Sequence, residues 1–169
     1  MFVDLEMTGL DPRRHEIIEA AALLVNPPHF QIENSYYAKV APSHIDTADT
    51  KSLQIANYSP QTWKDAISLS QMLKELSGMA PDCILAGWNV EIEWDFLLAA
   101  LEAEELPVFF DQKLLEVWSF AYVKYYNRTD IAKLKLASVS RDLGISIDNH
   151  KPDSDIRATY EIFKKLSGL

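Results

Sequence analysis

Apolar and polar positions alternate at the start of the chain and change to helical spacing further along. Residues 2–6 alternate with period two, which predicts a short first strand. After a turn at 7–14, the segments 16–25 and 30–40 predict two more strands joined by a turn at two prolines. The alanines of 16–25 would also suit a helix, but its length between two turns favours a strand. The first 40 residues therefore predict an antiparallel meander of three strands.

The rest of the chain predicts helices separated by short strands. Apolar residues at helical spacing, among them Ile67, Met72, Leu73 and Leu76, predict a helix that ends near Gly78 and further helices over 91–101, 114–126, 134–143 and 154–166. Short apolar runs predict a buried strand at 83–87 and a further strand at 108–110. A meander followed by this alternation predicts a single mixed α/β domain over residues 1–169, with a central sheet flanked by helices.

The composition is that of a globular protein. Of 169 residues, 48% are apolar and 24% are charged, so one hydrophobic core can form without metal or disulfide support. Cys83 is the only cysteine, which excludes an internal disulfide and fits a reducing compartment. The sequence shows neither a signal-peptide pattern nor an uncharged apolar run of membrane-spanning length. We therefore expect a cytoplasmic protein without a membrane partner.

The net charge of −9 argues at first against nucleic acid as a partner, because proteins that bind phosphates usually carry a basic surface. The charge is unevenly distributed, however. Residues 91–116 hold eight acids and one lysine, whereas 122–141 contain one acid and five cations, Lys124, Arg128, Lys133, Lys135 and Arg141. Basic side chains interleaved with tyrosines are typical of a path for single strands. The other interpretation, which we favour for Tyr122 and Tyr126, is the buried stripe of an amphipathic helix.

The first candidate for chemistry is the pair Asp4 and Glu6. Their i, i+2 spacing on a strand places both carboxylates on one face, about 7 Å apart along the chain. If that face packs against helices, two carboxylates are costly unless cations or protons compensate them. The pair then indicates a cation site. If the face is exposed, both residues are ordinary surface acids.

Two further segments carry candidate residues. His150 lies in a loop, and Asp155 lies in the first turn of the last predicted helix. Separately, they suit a solvated histidine and an acid that complements the helix dipole. Together they are typical of a general base beside a metal ligand. In the segment 87–97, Glu93 and Asp95 point about 200° apart on a helix, so at most one of them can face a site.

Together these three segments resemble the DEDDh exonucleases, which include proofreading exonucleases and oligoribonucleases. Residues 4–12 (DLEMTGLDP) match the first motif of that family and are similar to its oligoribonuclease form. The segment 87–97 (GWNVEIEWDFL) matches the second motif, and His150 followed five residues later by Asp155 matches the third. The resemblance covers almost the whole chain and rests on the order and spacing of all three motifs.

The resemblance implies an RNase H-like fold and a 3′-to-5′ exonuclease. In such an enzyme, Asp4, Glu6, Glu93 and Asp155 would hold two divalent cations, Mg²⁺ or Mn²⁺, and His150 would be the general base. Nucleoside monophosphates would be released from the 3′ ends of single-stranded DNA or RNA. By the same resemblance, the terminal nucleotide would lie against Thr8, Gly9, Leu10 and Asn89. The alternative for Leu10 is a turn residue that caps the core. The resemblance is compatible with a homodimer and with partners in replication, repair or RNA processing.

Two departures from the family pattern leave an alternative open. The second motif usually has histidine where this chain has Trp88, and aspartate where it has Glu93. Because Mg²⁺ demands near-ideal octahedral geometry, the extra methylene of Glu93 predicts reduced activity or greater dependence on Mn²⁺. The alternative is an RNase H-like module without activity that binds nucleic acid or a protein. A glycosidase-like carboxylate pair is disfavoured, because those acids lie on separate elements and Asp4 and Glu6 share one strand.

Overall fold

The computed structural model describes residues 1–128, 134–148 and 151–169. The strands of these residues are β1 (Phe2–Met7), β2 (Ile17–Asn26), β3 (Gln31–Lys39), β4 (Cys83–Gly87) and β5 (Phe110–Glu116). Their helices are α1 (Thr50–Ile55), α2 (Leu69–Met79), α3 (Glu91–Ala103), α4 (Val117–Tyr125), α5 (Leu136–Asp142) and α6 (Pro152–Ser167), with a 3₁₀ turn at Ile45–Thr47.

The five strands form one mixed sheet in the order β3-β2-β1-β4-β5. Strands β1, β2 and β3 are antiparallel neighbours, which confirms the predicted meander, and β4 runs parallel to both β1 and β5. In the β1–β2 register, Asp4 lies opposite Ala21 and Glu6 lies opposite Glu19. The sheet therefore brings a third acid, from β2, beside the acidic pair of β1.

Alternate residues of β1 enter two hydrophobic cores, one on each side of the sheet. Val3 and Leu5 pack in the core that contains the apolar residues of α2 and α3. Phe2 points to the other side, into the core formed with α4, α5 and α6. Because side chains alternate along a strand, Asp4 and Glu6 lie on the Phe2 side, facing α6. Of the two alternatives left open for this face, the structure therefore supports the one in which a helix packs against it.

The prediction for residues 108–126 is wrong in its boundaries. A strand was expected at 108–110 and a helix from Leu114, but β5 begins at Phe110 and extends to Glu116, and α4 begins at Val117. The parallel register with β4 pairs Leu85 with Leu114 and Gly87 with Glu116. Pairing with β4 satisfies the hydrogen-bonding capacity of backbone N–H and C=O groups in β5. The apolar pattern of a segment gives no information about such a partner strand.

The segment before α2 also differs from the prediction. Ile67 lies outside the helix and forms an isolated parallel bridge with Val40. The helix begins only after Ser68, whose hydroxyl accepts a hydrogen bond from the N–H of Gln71, a typical N-cap. The short helix α1, which lies between β3 and α2 in the sequence, was not predicted.

Among the described residues, no helix has the length and apolar composition needed to cross a membrane.

Candidate active site

Asp4 is at the electrostatic centre of a group of acids. Its side chain is only partly exposed, and burial raises the pKa of its carboxyl well above the ordinary value. The negative charges of Glu93, Asp155, Glu6 and Glu19 raise this pKa further, in that order. Carboxylates from β1, β2, α3 and α6 are therefore close enough to act on one another.

Glu6 has the same kind of environment. Burial is the main cause that raises its pKa from 4.5 to about 7, and the charges of Glu19 and Asp155 add to it. Asp155 lies in the first turn of α6, which packs on β1, and its side chain is partly buried. Asp4, Glu6 and Asp155 were all singled out from the sequence, and the fold brings them together.

Glu93 and Asp95 have opposite environments on α3. The side chain of Glu93 is only 6% exposed, whereas Asp95 is exposed. Burial raises the pKa of Glu93 to about 8, a backbone hydrogen bond lowers it in part, and the charges of Glu116 and Glu6 raise it. Its Oε2 atom is buried and has no hydrogen-bond partner among the described residues. Of the two acids, Glu93 is therefore the one that faces the other carboxylates.

The raised pKa values predict how the stability of the cation-free protein depends on pH. Both carboxyls have an ordinary pKa of 4.5, and in the fold the values are about 7 for Glu6 and about 8 for Glu93. At pH values between the ordinary pKa and the raised pKa of each group, the folded state binds more protons than the unfolded chain. The contribution of the two groups to the free energy of unfolding is therefore complete below pH 4.5 and is lost as the pH rises through 7 to 8.

We expect the melting temperature in EDTA to fall less steeply from pH 5 to pH 8 in Glu93→Gln than in wild type. Calorimetry across this pH range measures the slopes, and Glu91→Gln, which alters an exposed acid on the same helical turn, is the matched control. Equal slopes for wild type and Glu93→Gln would contradict the raised pKa of Glu93.

Two acids near this group were not singled out from the sequence. Glu19 on β2 is 7% exposed and accepts a hydrogen bond from the Tyr37 hydroxyl. Burial raises its pKa, while that hydrogen bond and the charge of Lys39 lower it in part. Glu116 ends β5, and its carboxylate accepts hydrogen bonds from the backbone N–H groups of Asn89, Val90 and Trp118. The only sequence signal for Glu19 was a single acid in the apolar run IIEAAALLV.

The donor set suits a hard divalent cation. Every candidate ligand is a carboxylate, and carboxylate oxygens are what Mg²⁺ and Mn²⁺ prefer. The raised pKa of Asp4, Glu6 and Glu93 and the buried Oε2 of Glu93 show that negative charge here lacks compensation. No three His, Cys, Asp or Glu side chains of the described residues form a ready-made metal cluster. Because like charges repel, closing these oxygens around a cation has to be driven by the cation itself.

The predicted general base lies outside the part of the chain that the structure describes, because residues 149 and 150 are not among the described residues. Its neighbours are placed. Lys151 precedes α6 and forms an ion pair with Asp148. Asp155 follows within the first turn of the helix. The role of His150 therefore stays a prediction from the third motif.

The turn after β1 contains three of the predicted substrate-binding residues. Thr8 is fully buried, its N–H donates to the Glu16 carbonyl oxygen at 2.9 Å, and its Oγ1 accepts from the Glu16 N–H at 2.9 Å. Its carbonyl oxygen accepts from the Asp49 N–H at 2.7 Å. These bonds show that Thr8 fixes the turn. Gly9 is buried, and a Cβ at this position would collide with the imidazole of His15.

Leu10 and Asn89 are the exposed members of the predicted substrate-binding set. The Leu10 side chain is 78% exposed at the tip of the turn, so it does not belong to the core. Asn89 is exposed in the turn between β4 and α3 and has a φ of 62°, in the left-handed region. Both side chains are accessible to a ligand.

Comparison with known proteins identifies the family of this chain. The model of the RNase_T family, which is described as Exonuclease, matches residues 1–163. The chain belongs to this exonuclease family. The resemblance to DEDDh exonucleases inferred from the motifs is therefore confirmed at the level of the family.

The curated relatives of this exonuclease-family chain are much longer proteins. It is 25% identical over 165 residues to a DNA polymerase III PolC-type protein of Thermotoga maritima, covering 97% of the chain and 11% of that protein. It is 27% identical over 167 residues to the PolC-type protein of Latilactobacillus sakei, covering 96% of the chain and 11% of that protein. The chain thus spans about a tenth of the length of these relatives.

Solved structures show the same fold. Escherichia coli Exonuclease I in complex with a dT13 oligonucleotide has a TM-score of 0.85 at 14% identity, covering 98% of this chain and 40% of that one. The nuclease domain of 3′hExo, a DEDDh family member bound to rAMP, has a TM-score of 0.71 at 21% identity, covering 99% of this chain and 91% of that one. The expected RNase H-like exonuclease fold is confirmed.

The basic stretch of this exonuclease-family chain differs in part from its prediction. Tyr122 and Tyr126 were interpreted as a buried stripe but are 52% and 66% exposed, while Tyr125 is buried. The buried Tyr125 donates to Asp142 at 2.8 Å, and Arg128 forms an ion pair with the same carboxylate at 3.1 Å. The tyrosine stripe was therefore assigned to the wrong face of α4. Lys133 lies outside the described residues, and Lys124, Lys135 and Arg141 are exposed.

Proposed function

We propose that this chain is a divalent-cation-dependent 3′-to-5′ exonuclease that releases nucleoside 5′-monophosphates from single-stranded or short DNA or RNA. The observation that carries the proposal is the convergence of acids from separate elements on Asp4, together with the buried Glu93 Oε2, which has no hydrogen-bond partner among the described residues. In a protein of the exonuclease family, carboxylates that are buried close to one another and raise one another's pKa are best explained as ligands.

The mechanism assigns a role to each side chain. Asp4, Glu6, Glu93 and Asp155 would hold two cations, Mg²⁺ or Mn²⁺. When bound, such ions lower the pKa of the attacking water and stabilise the leaving 3′ oxygen. His150 takes the proton from that water, a task suited to a group that titrates near neutral pH.

The substrate end is formed by the two accessible residues of the predicted set. In this proposal the exposed Leu10 packs against the terminal base, and the exposed Asn89 contacts the same nucleotide. Thr8 and Gly9 act through the backbone turn that presents Leu10, because the peptide groups of Thr8 are bonded to Glu16 and Asp49. The exposed Tyr122 and Tyr126 add faces on which upstream bases can stack.

We propose that the exonuclease domain occupies residues 1–169. The PolC-type relatives suggest a replication setting, and the motif similarity to oligoribonucleases suggests short RNA. A homodimer or a replication, repair or RNA-processing partner would supply grip on the substrate that a chain of net charge −9 has little basic surface to provide.

A binding module with little or no activity is the second candidate. Three observations favour it: Trp88 and Glu93 replace the usual motif residues, and the described acids form no ready-made metal cluster. Such a module would bind single strands but would not shorten them.

A digestion panel separates the two candidates. Short RNA, single-stranded DNA and a duplex with a mismatched 3′ end are incubated with Mg²⁺, with Mn²⁺ or with EDTA. The exonuclease shortens at least one substrate when a cation is present, more strongly with Mn²⁺ because of the longer Glu93 side chain, and shortens none in EDTA. Binding without shortening under every condition would establish the module instead.

A further inference from the structure

We propose that Glu116 is the positioning residue that holds Glu93 in the carboxylate group. Glu116 lies at the end of β5, and its carboxylate accepts three backbone hydrogen bonds. Oε1 accepts from the N–H of Asn89 at 3.0 Å and from the N–H of Trp118 at 2.8 Å, and Oε2 accepts from the N–H of Val90 at 3.0 Å. One side chain thereby ties the β4–α3 turn to the start of α4.

The turn that Glu116 holds is tightly packed against β1. A Cβ at Gly87 would lie 3.1 Å from the Val3 carbonyl oxygen and 3.1 Å from the Val90 Cβ, so glycine is the residue that fits. Asn89 adopts the left-handed region, which costs energy in a residue other than glycine. Asparagine tolerates this region better than most residues, and Glu116 holds the turn in it through hydrogen bonds from the N–H groups of Asn89 and Val90.

The link from this turn to Glu93 is short. Val90 is fully buried and immediately precedes α3, and its carbonyl oxygen accepts the N–H of Trp94 at 3.0 Å. Glu93 lies three residues after Val90, within the first helical turn. Glu93 is part of this first turn and moves with it. If the turn rotated about the helix axis, the Glu93 side chain would therefore point away from Asp4.

Glu116 differs from the other acids of the group in how its charge is satisfied. Its two oxygens accept three N–H groups, whereas Glu93 Oε2 accepts none from the described residues. Its charge nevertheless raises the pKa of Glu93, so the two side chains are neighbours. We therefore place Glu116 behind Glu93, as its support, and not among the cation ligands.

Glu116→Gln tests this inference, which rests on the proposed function only for its activity readout. The amide group keeps the shape of the side chain but turns an N–H₂ towards one of the three N–H donors, so at least one hydrogen bond is lost. Removing a group that orients a metal ligand typically weakens metal affinity about 10- to 100-fold. We expect the dissociation constant for Mn²⁺, measured by titration calorimetry, to rise at least about tenfold.

Asp142→Asn is the matched control. Asp142 is also a carboxylate that anchors α4, through Tyr125 at 2.8 Å and Arg128 at 3.1 Å, but it does not touch the β4–α3 turn. We expect this variant to lower the melting temperature and to leave the Mn²⁺ affinity unchanged. Half-saturating Mn²⁺ for digestion should shift in Glu116→Gln and not in Asp142→Asn.

Wild-type Mn²⁺ affinity in a folded Glu116→Gln protein would overturn the inference, and so would an equal loss in both variants. If Glu116→Gln does not fold, Glu116→Asp, which keeps the charge on a shorter side chain, is measured in the same way and judged by the same two outcomes. Calorimetry needs no catalysis. The two proposals can therefore fail separately. If wild type binds Mn²⁺ but cleaves nothing, the proposed function is wrong. If Glu116→Gln in that case still loses Mn²⁺ affinity, the role of Glu116 is supported.

Discussion

Replacing Asp4 with asparagine is expected to reduce the rate at which a labelled single strand is digested by at least about a hundredfold. Mutation of a residue that only orients a metal ligand costs up to about a hundredfold, and loss of a ligand itself should cost at least as much. Asp4 is the carboxylate on which the charges of Glu93, Asp155, Glu6 and Glu19 all act. Asparagine has nearly the same shape but carries no charge, so it would hold a cation poorly. Initial rates at saturating Mn²⁺ measure the effect.

A stability measurement distinguishes this result from unfolding. Burial and the repulsion of the neighbouring acids both disfavour the charged form of Asp4. Because Asp4→Asn removes this charge, the variant should melt in EDTA at the same temperature as wild type or at a higher one. Asp95→Asn, which alters the exposed acid of α3, should digest at the wild-type rate. An Asp4→Asn protein with activity within a few-fold of wild type would remove Asp4 from the site.

Replacing His150 with alanine is expected to lower the digestion rate by about 10²- to 10⁴-fold, the usual contribution of a general base. The binding of Mn²⁺, measured by calorimetry, should not change, since the histidine is expected to move a proton and not to hold a cation. This combination differs from Asp4→Asn, which should lose both activity and Mn²⁺ affinity.

The pH profile adds a second readout for His150. A general base must be neutral to accept a proton, so wild-type activity should rise with pH through the ordinary histidine pKa of about 6.5. The residual activity of His150→Ala should lack this rise. His29→Ala, which alters an exposed histidine in the turn between β2 and β3, is the control. Activity close to wild type in His150→Ala, with the same pH profile, would contradict the assignment.

The sequence could predict the orientation of those acids whose position follows from the periodicity of a single strand or helix. The period of two placed Asp4 and Glu6 on one face, and the fold covers that face with α6. The helical period separated Glu93 from Asp95, and the first of them is the buried one. Each of these inferences needs only the neighbouring residues of one element.

The residues that the sequence could not predict depend on contacts between elements. Glu19 lies beside Glu6 because of the β1–β2 register, and its hydrogen bond comes from Tyr37 on β3. Glu116 was expected inside a helix, but in the structure it is the last residue of β5, because that strand pairs with β4. Neither the partner strand nor the distant N–H groups of Asn89 and Val90 can be read from the residues around Glu116.

The same limit explains the error on the tyrosines. Tyr122, Tyr125 and Tyr126 lie close together in the sequence, and only the packing of α4 decides which one is buried. The hydroxyl of Tyr125 bonds to Asp142 at the end of α5, a contact between two helices. A local amphipathic pattern gave no reason to prefer Tyr125 over its neighbours.

Product analysis of a single strand with one blocked end tests the central claim most directly. With Mn²⁺, a strand whose 3′ end is free should yield nucleoside 5′-monophosphates in order from that end, and a strand blocked at the 3′ end should stay intact. EDTA should stop the release. Mononucleotides released equally from both strands, or release that continues in EDTA, would contradict a cation-dependent 3′-to-5′ exonuclease.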